Sequence, residues 1–97
     1  MDLAAKLATF AEVYAPRVVG AFNGHDLMVV KLRGPFVWHA HDDTDDFFLV
    51  LHGRLTIELR EAAGERVVTL GPGELLVVPR GVEHRPVADD GEVVFAG

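Results

Sequence analysis

Cysteine and serine are both missing from this chain of 97 residues, and cations are scarce, with nine Lys and Arg against fifteen Asp and Glu for a formal net charge of −6. Without cysteine there is neither a disulfide framework nor a thiolate metal site, so any metal must be held by nitrogen and oxygen ligands. Without serine or cysteine, and with no other nucleophile set beside a histidine and an orienting carboxylate, a hydrolytic triad has nothing to build on. The acidic balance disfavours phosphate backbones and anionic membrane surfaces, so neither nucleic acid nor membrane is expected as a partner. The opening residues, MDLAAKLATF, have no basic leader and no long apolar run, which argues against a signal peptide or a spanning helix and makes a cytoplasmic location the expectation.

What is present is a chain that is 49% hydrophobic, enough for one domain over residues 1–97 with a modest core. From Asp2 to Tyr14 the apolar residues Leu3, Leu7, Phe10, Ala11 and Tyr14 recur at helical spacing, with Asp2 as N-cap and Pro16 past the end. This predicts a short N-terminal helix within residues 1–15. Strands follow: RVVGAF and DLMVVKL flank Asn23-Gly24, a hairpin turn pair. RLTIELR alternates apolar and polar, and RVVTL, LLVV and EVVFA are separated by turn signals at EAAGE, GPG and ADDG. About eight or nine short strands are expected, which makes the fold class all-β, a sandwich or barrel. FFLVL at 47–51 and LLVV at 75–78 are apolar on both faces, so the face turned away from the interior needs the helix or a second subunit over it, and a homodimer is expected.

Within residues 38–48, WHAHDDTDDFF, two histidines stand one residue apart before four aspartates. If this stretch is a strand, Val37, His39 and His41 share one face and Phe36, Trp38 and Ala40 the other. Asp46 then opens a strand on which Phe48 and Val50 share its face, and a distant His84 lies in PRGVEHRP. His39, His41, Asp46 and His84 form a nitrogen and oxygen set suited to a divalent transition metal. The same pattern also fits surface histidines followed by a solvated acidic loop, which is the simpler reading for Asp42, Asp43 and Asp45.

These residues resemble the two signature motifs of the cupin superfamily. Residues 34–53 resemble the first motif: Gly34, PFVW, His39, Ala40, His41, DDTD, Asp46, FFLVLH, Gly53. Residues 73–88 resemble the other: Gly73, ELLVV, Pro79, Arg80, Gly81, VE, His84, RPV, Ala88. The resemblance implies a jelly-roll barrel (double-stranded β-helix) of the small, single-domain cupin 2 type, often dimeric, with His39, His41, Asp46 and His84 at the metal-ligand positions and zinc, iron, manganese, nickel or copper as the ion. Three departures stand out. One residue is missing between Gly34 and His39, Ala88 replaces an asparagine, and Asp46 stands where the family has glutamate. For the aspartate to serve, either the backbone comes closer, or it binds through water, or the site relies on three histidines.

Around such a centre Val37, Phe48, Val50, Ile57 and Leu59 are the pocket-lining candidates, set against their simpler role as core. His25 and His52 are expected at the surface, and Phe36 and Trp38 against the helix or a partner. Cupins of this size resemble sugar-phosphate isomerases and dioxygenases acting on a small molecule, so a metal-dependent enzyme and a non-catalytic ligand- or metal-binding module are both open. Glu83, beside His84, is the only acid or base nominated besides the ligands.

Overall fold

Apolar and polar residues alternate in stretches of this chain, most clearly in RLTIELR, where the strand buries Leu55, Ile57 and Leu59 on one face. The computed structural model describes residues 1–96, with side chains through Ala88. Its elements are α1 (Leu3–Leu7), β1 (Arg17–Phe22), β2 (His25–Pro35), β3 (Asp46–Glu61), β4 (Gly64–Leu70), β5 (Leu75–Val78) and β6 (Glu83–Ala96). The strands pair antiparallel in the order β1-β2-β6-β3-β4, and β5 pairs with the first residues of β3. The fold is the all-β jelly roll with one short helix.

Among the described residues six strands replace the expected eight or nine, because β3 and β6 each run through a segment that reads as a break in sequence. In β3 the buried positions are Asp46, Phe48 and Val50 before Gly53, and Leu55, Ile57 and Leu59 after it. The alternation slips by one where the pairing with β6 shifts register, between Val50 and His52 and again between Gly53 and Leu55. Gly53 takes a φ of 78° there, a conformation that favours glycine. Opposite, ADDG at 88–91 is strand and not the expected turn. Ala88 pairs with Leu55 and Gly91 with Gly53, leaving two residues of β6 against Arg54 alone. Such a bulge bends both long strands at one corner and lets the sheet curl.

The hairpin at Asn23-Gly24 forms as expected, with φ of 50° and 78° and Phe22 paired to His25. The helix is shorter than its periodicity predicts. Asp2 does cap it, its side chain accepting from the Ala4 and Ala5 amides at 3.0 and 3.3 Å. Beyond α1, however, the chain is drawn onto β2: the Lys31 ammonium donates to the Phe10 carbonyl (2.6 Å) and the Tyr14 amide to the Lys31 carbonyl (2.8 Å). Tertiary bonds override a helix this short, which has little stability of its own.

Val30, Leu32, Phe48, Val50, Leu55, Ile57, Leu59, Leu70, Val78 and Ala88 form the core. On the outside of the sheet α1 packs against β2. The outer residues of β5 stay open, Leu75 at 55% exposure and Val77 at 47%. Among the described residues no helix is long and apolar enough to cross a membrane.

Candidate metal centre

Three pieces of chain meet at one end of the barrel. The stretch after β2 is mostly not strand, contrary to the expectation for His39 and His41. Only His39 pairs, in an antiparallel bridge with His84 whose amides and carbonyls bond both ways at 3.0 and 2.8 Å. His41 is held differently, its carbonyl accepting from the Gly81 amide at 2.7 Å. The shared face predicted for Val37 with the histidines is lost with the strand geometry, and Val37 is 62% exposed. Asp46 opens β3 on the inward parity, opposite Val78, and is 5% exposed; His84, on β6 opposite Leu59, is 1% exposed.

All three imidazoles converge on one carboxylate oxygen. Asp46 Oδ2 lies 2.8 Å from His84 Nε2, 3.2 Å from His41 Nε2 and 3.8 Å from His39 Nε2. Ligand atoms of His39, His41 and Asp46 all lie within 4.8 Å of one another. Around an ion with bonds of about 2.1 Å, neighbouring donors sit about 3.0 Å apart at right angles and about 3.4 Å apart at the tetrahedral angle. The distances to Asp46 fall around those values, so His39, His41 and Asp46 could hold a divalent cation, with His84 beside them.

The backbone orients two of the rings. His39 Nδ1 donates to the Val37 carbonyl at 3.0 Å and His84 Nδ1 to the Val82 carbonyl at 2.9 Å, because a carbonyl can only accept. With a cation bound, that choice of proton would leave each Nε2 lone pair for the ion, the arrangement a metal-ligating histidine uses. Without a cation His84 faces oxygens on both nitrogens. Burial opposes its charged form, but the hydrogen bond to Asp46, the Val82 carbonyl and the Asp46 charge outweigh it and hold the His84 pKa above the ordinary histidine value.

A cavity of about 250 Å³ opens beside these groups, walled by Tyr14, Pro16, Val30, Leu32, Phe36, His39, His41, Asp46, Phe48 and Pro86. Of the five pocket-lining candidates Phe48 is in that wall. Val50, Ile57 and Leu59 lie in the core, Val50 on the inward face before Gly53 and the other two on the inward face after it. Phe36 and Tyr14 were not anticipated there. Their rings stack at 4.8 Å and 16°, Phe36 meets His39 edge-on at 5.6 Å, and the Tyr14 hydroxyl donates to the Gly34 carbonyl. Pro16 marks where a helix could not hold Tyr14, and no periodicity argument reaches further.

The remaining candidates are engaged elsewhere. Trp38 lies under the Arg60 guanidinium, 3.8 Å from its ring centre, with Arg85 at 5.4 Å. Arg60 binds Glu83 at 2.8 Å, which occupies the nominated acid or base, and Arg85 Nε binds Glu58 at 2.7 Å. Asp45 is more than solvated loop: its Oδ1 accepts from the Arg80 amide at 2.9 Å. His25 and His52 are exposed, as expected.

Residues 26–96 match the Cupin_2 family model, a cupin domain. The chain belongs to the cupin family. A crystal structure of a cupin-2 domain containing protein from Shewanella frigidimarina NCIMB 400 superposes on this cupin with a TM-score of 0.92 at 36% identity, covering 100% of this chain and 92% of that one. The uncharacterized protein YdbB of Bacillus subtilis (strain 168) is 30% identical over 74 residues, 76% of this chain and 63% of its own length. Acireductone dioxygenase 1 of Coprinopsis cinerea is 32% identical over 68 residues, 68% of this chain and 38% of its own length. This cupin therefore spans under two thirds of either curated relative.

Proposed function

We propose that this cupin holds one divalent transition metal through Nε2 of His39, His41 and His84 and a carboxylate oxygen of Asp46, and acts on a small molecule in the adjoining cavity as a dioxygenase- or isomerase-type enzyme. The observation that carries the reading is the convergence of three imidazole nitrogens on Asp46 Oδ2 at 2.8 to 3.8 Å. The likeness to a dioxygenase over 68 residues supports it. When bound, the ion would supply Lewis acidity to an oxygen donor and, if redox-active, electron transfer. Asp46 offsets one of its two charges, the Val37 and Val82 carbonyls fix two rings, and Phe36 and Phe48 keep water off one side of the centre.

One observation favours a second reading. Apart from the three candidate ligands in the cavity wall, only Tyr14 is ionisable there among the described residues, and its hydroxyl is given to the Gly34 carbonyl. Chemistry that needs a separate proton shuttle has none, which suits a non-catalytic ligand- or metal-binding module. The exposed Leu75 and Val77 support a second copy packed over β5 as a homodimer.

Elemental analysis of the purified protein beside a His41→Ala variant tests the centre. Metal near one ion per chain in the wild type and a loss in the variant supports it, and substoichiometric metal in both refutes it. Dioxygen uptake or isomerised product then marks an enzyme, and metal retained without turnover marks the module.

A further inference from the structure

We infer that the ligand of this cavity is a small molecule with two adjacent oxygen donors, a single negative charge when bound and a planar apolar body that lies along the Tyr14–Phe36 stack. The inference rests on the metal centre proposed above and adds the chemistry of what the centre receives.

Charge is the first constraint. Among the described residues no lysine or arginine belongs to the cavity wall. Three arginines of neighbouring segments hold carboxylates: Arg60 with Glu83, Arg85 with Glu58, and Arg80 with Asp45. The only positive charge a ligand meets in that wall is that of the ion, and Asp46 reduces a divalent ion to a net single charge. A monoanion neutralises it. A phosphate ester, carrying about −1.5 to −2, would bury charge with no partner.

The polar groups of the wall give the second constraint. The Tyr14 hydroxyl already donates to the Gly34 carbonyl, and the remaining wall away from the histidines and Asp46 is apolar. Every polar atom of the ligand therefore belongs at the metal end. Four protein donors leave two positions on a six-coordinate ion, which suits a pair of adjacent oxygens.

Shape is the third. The Tyr14 and Phe36 rings stack on each other 16° from parallel, and Phe36 meets the His39 ring at a steep angle, so an aromatic wall begins where the ligand set ends. A volume of about 250 Å³ equals roughly eight waters at about 30 Å³ each, enough for one ring and a short substituent.

The test uses nickel(II) as the ion and calorimetry as the readout, with three probes: tropolone, a planar monoanionic ring with adjacent oxygens; glycerate, which has adjacent oxygens and no ring; and 3-phosphoglycerate, which adds a phosphate to glycerate. Nickel is titrated first. Failure to take up nickel overturns the metal centre and this inference together. With nickel bound, tropolone is expected to bind wild type about tenfold more tightly than Phe36→Ala, with Phe36→Tyr restoring the affinity and glycerate indifferent to all three. 3-Phosphoglycerate is expected to bind at least about tenfold more weakly than glycerate. Phe36 lies outside the strands and is 40% exposed, so its truncation spares the fold, and unchanged nickel affinity verifies that. Nickel uptake with equal tropolone affinity in wild type and Phe36→Ala, or with 3-phosphoglycerate as tight as glycerate, overturns this inference and leaves the metal centre standing.

Discussion

Replacing Asp46 with asparagine removes the one acceptor on which the three imidazoles converge, and its effect on the metal-free protein should change with pH. In the native chain the His84 pKa is raised: burial works against the imidazolium, but the hydrogen bond from Nε2 to Asp46 at 2.8 Å, the bond to Val82 and the Asp46 charge overcome it. A raised folded pKa gives stabilisation that is complete below the unfolded histidine value of about 6.5 and is lost as pH rises through the folded value. In Asp46→Asn the favourable contributions from Asp46 are gone and burial at 1% exposure remains, so protonating His84 now costs stability as pH falls. His39 and His41 face the same oxygen, so the experiment is run as a cycle with His84→Asn to isolate the His84 share. A hydrogen bond to a charged group contributes about 1.5–3 kcal/mol, which puts the variant about 2 kcal/mol below wild type at pH 5, or roughly 10 °C in Tm for a chain of this size. At pH 8 the gap should be smaller than at pH 5, since this stabilisation falls as pH rises. Thermal melts in chelator at both pH values read it directly. An equal gap at pH 5 and pH 8, or one that keeps its pH dependence on the His84→Asn background, refutes the reasoning.

Asp46→Glu should lower metal affinity and cost about 1–3 kcal/mol, since an extra methylene is forced into a buried site whose oxygen already reaches His84; competition with a chromophoric chelator checks it, and tighter binding would contradict it. Asp45→Ala deletes the acceptor of the Arg80 amide and should weaken metal binding by about tenfold, while changing stability by less than about 1 kcal/mol. Affinity and melts measured together distinguish this from general loosening. Burial lifts the phenol of Tyr14, the single tyrosine, above the ordinary value of 10.0. Its ultraviolet titration should therefore have a midpoint above that value, and Phe36→Ala should bring it back toward it.

Sequence patterning reached the strands that alternate and stopped where tertiary structure decides. RLTIELR, LLVV and the Asn23-Gly24 hairpin follow from local rules, since period-two burial and a positive-φ pair need no distant partner. The continuity of β3 through Gly53 and of β6 through 88–91 was not readable, because glycine and ADDG signal a turn equally well whether the chain reverses or merely bulges. That slip is what keeps Leu55, Ile57 and Leu59 on the inward side, in the core. Helical spacing likewise carried Tyr14 into a helix, when its bond to Lys31 on β2 places its ring in the cavity wall. The four clustered groups were legible through motif spacing, but the strand geometry assumed for His39 and His41 was not what unites them.

What unites them also bears on the aspartate at 46. An aspartate is one methylene, about 1.5 Å, shorter than the glutamate it replaces. Its oxygen nonetheless stands within 2.8 to 3.8 Å of three imidazole nitrogens, so in the proposed centre the shorter side chain would need no bridging water to reach the ion. The structure shows how. The Gly81 amide binds the His41 carbonyl and the Arg80 amide binds Asp45 Oδ1, so two successive amides of the turn before β6 each grip the loop that carries the ligands. Asp46 itself pairs with Val78 at the foot of that turn, and His39 pairs with His84 just beyond it. These links, all made between Val78 and His84, draw the acidic loop inward, and Asp45, which reads in sequence as solvated loop, is one of their anchors. In the proposed centre a short aspartate would thus depend on these loop contacts to bring its oxygen among the imidazoles.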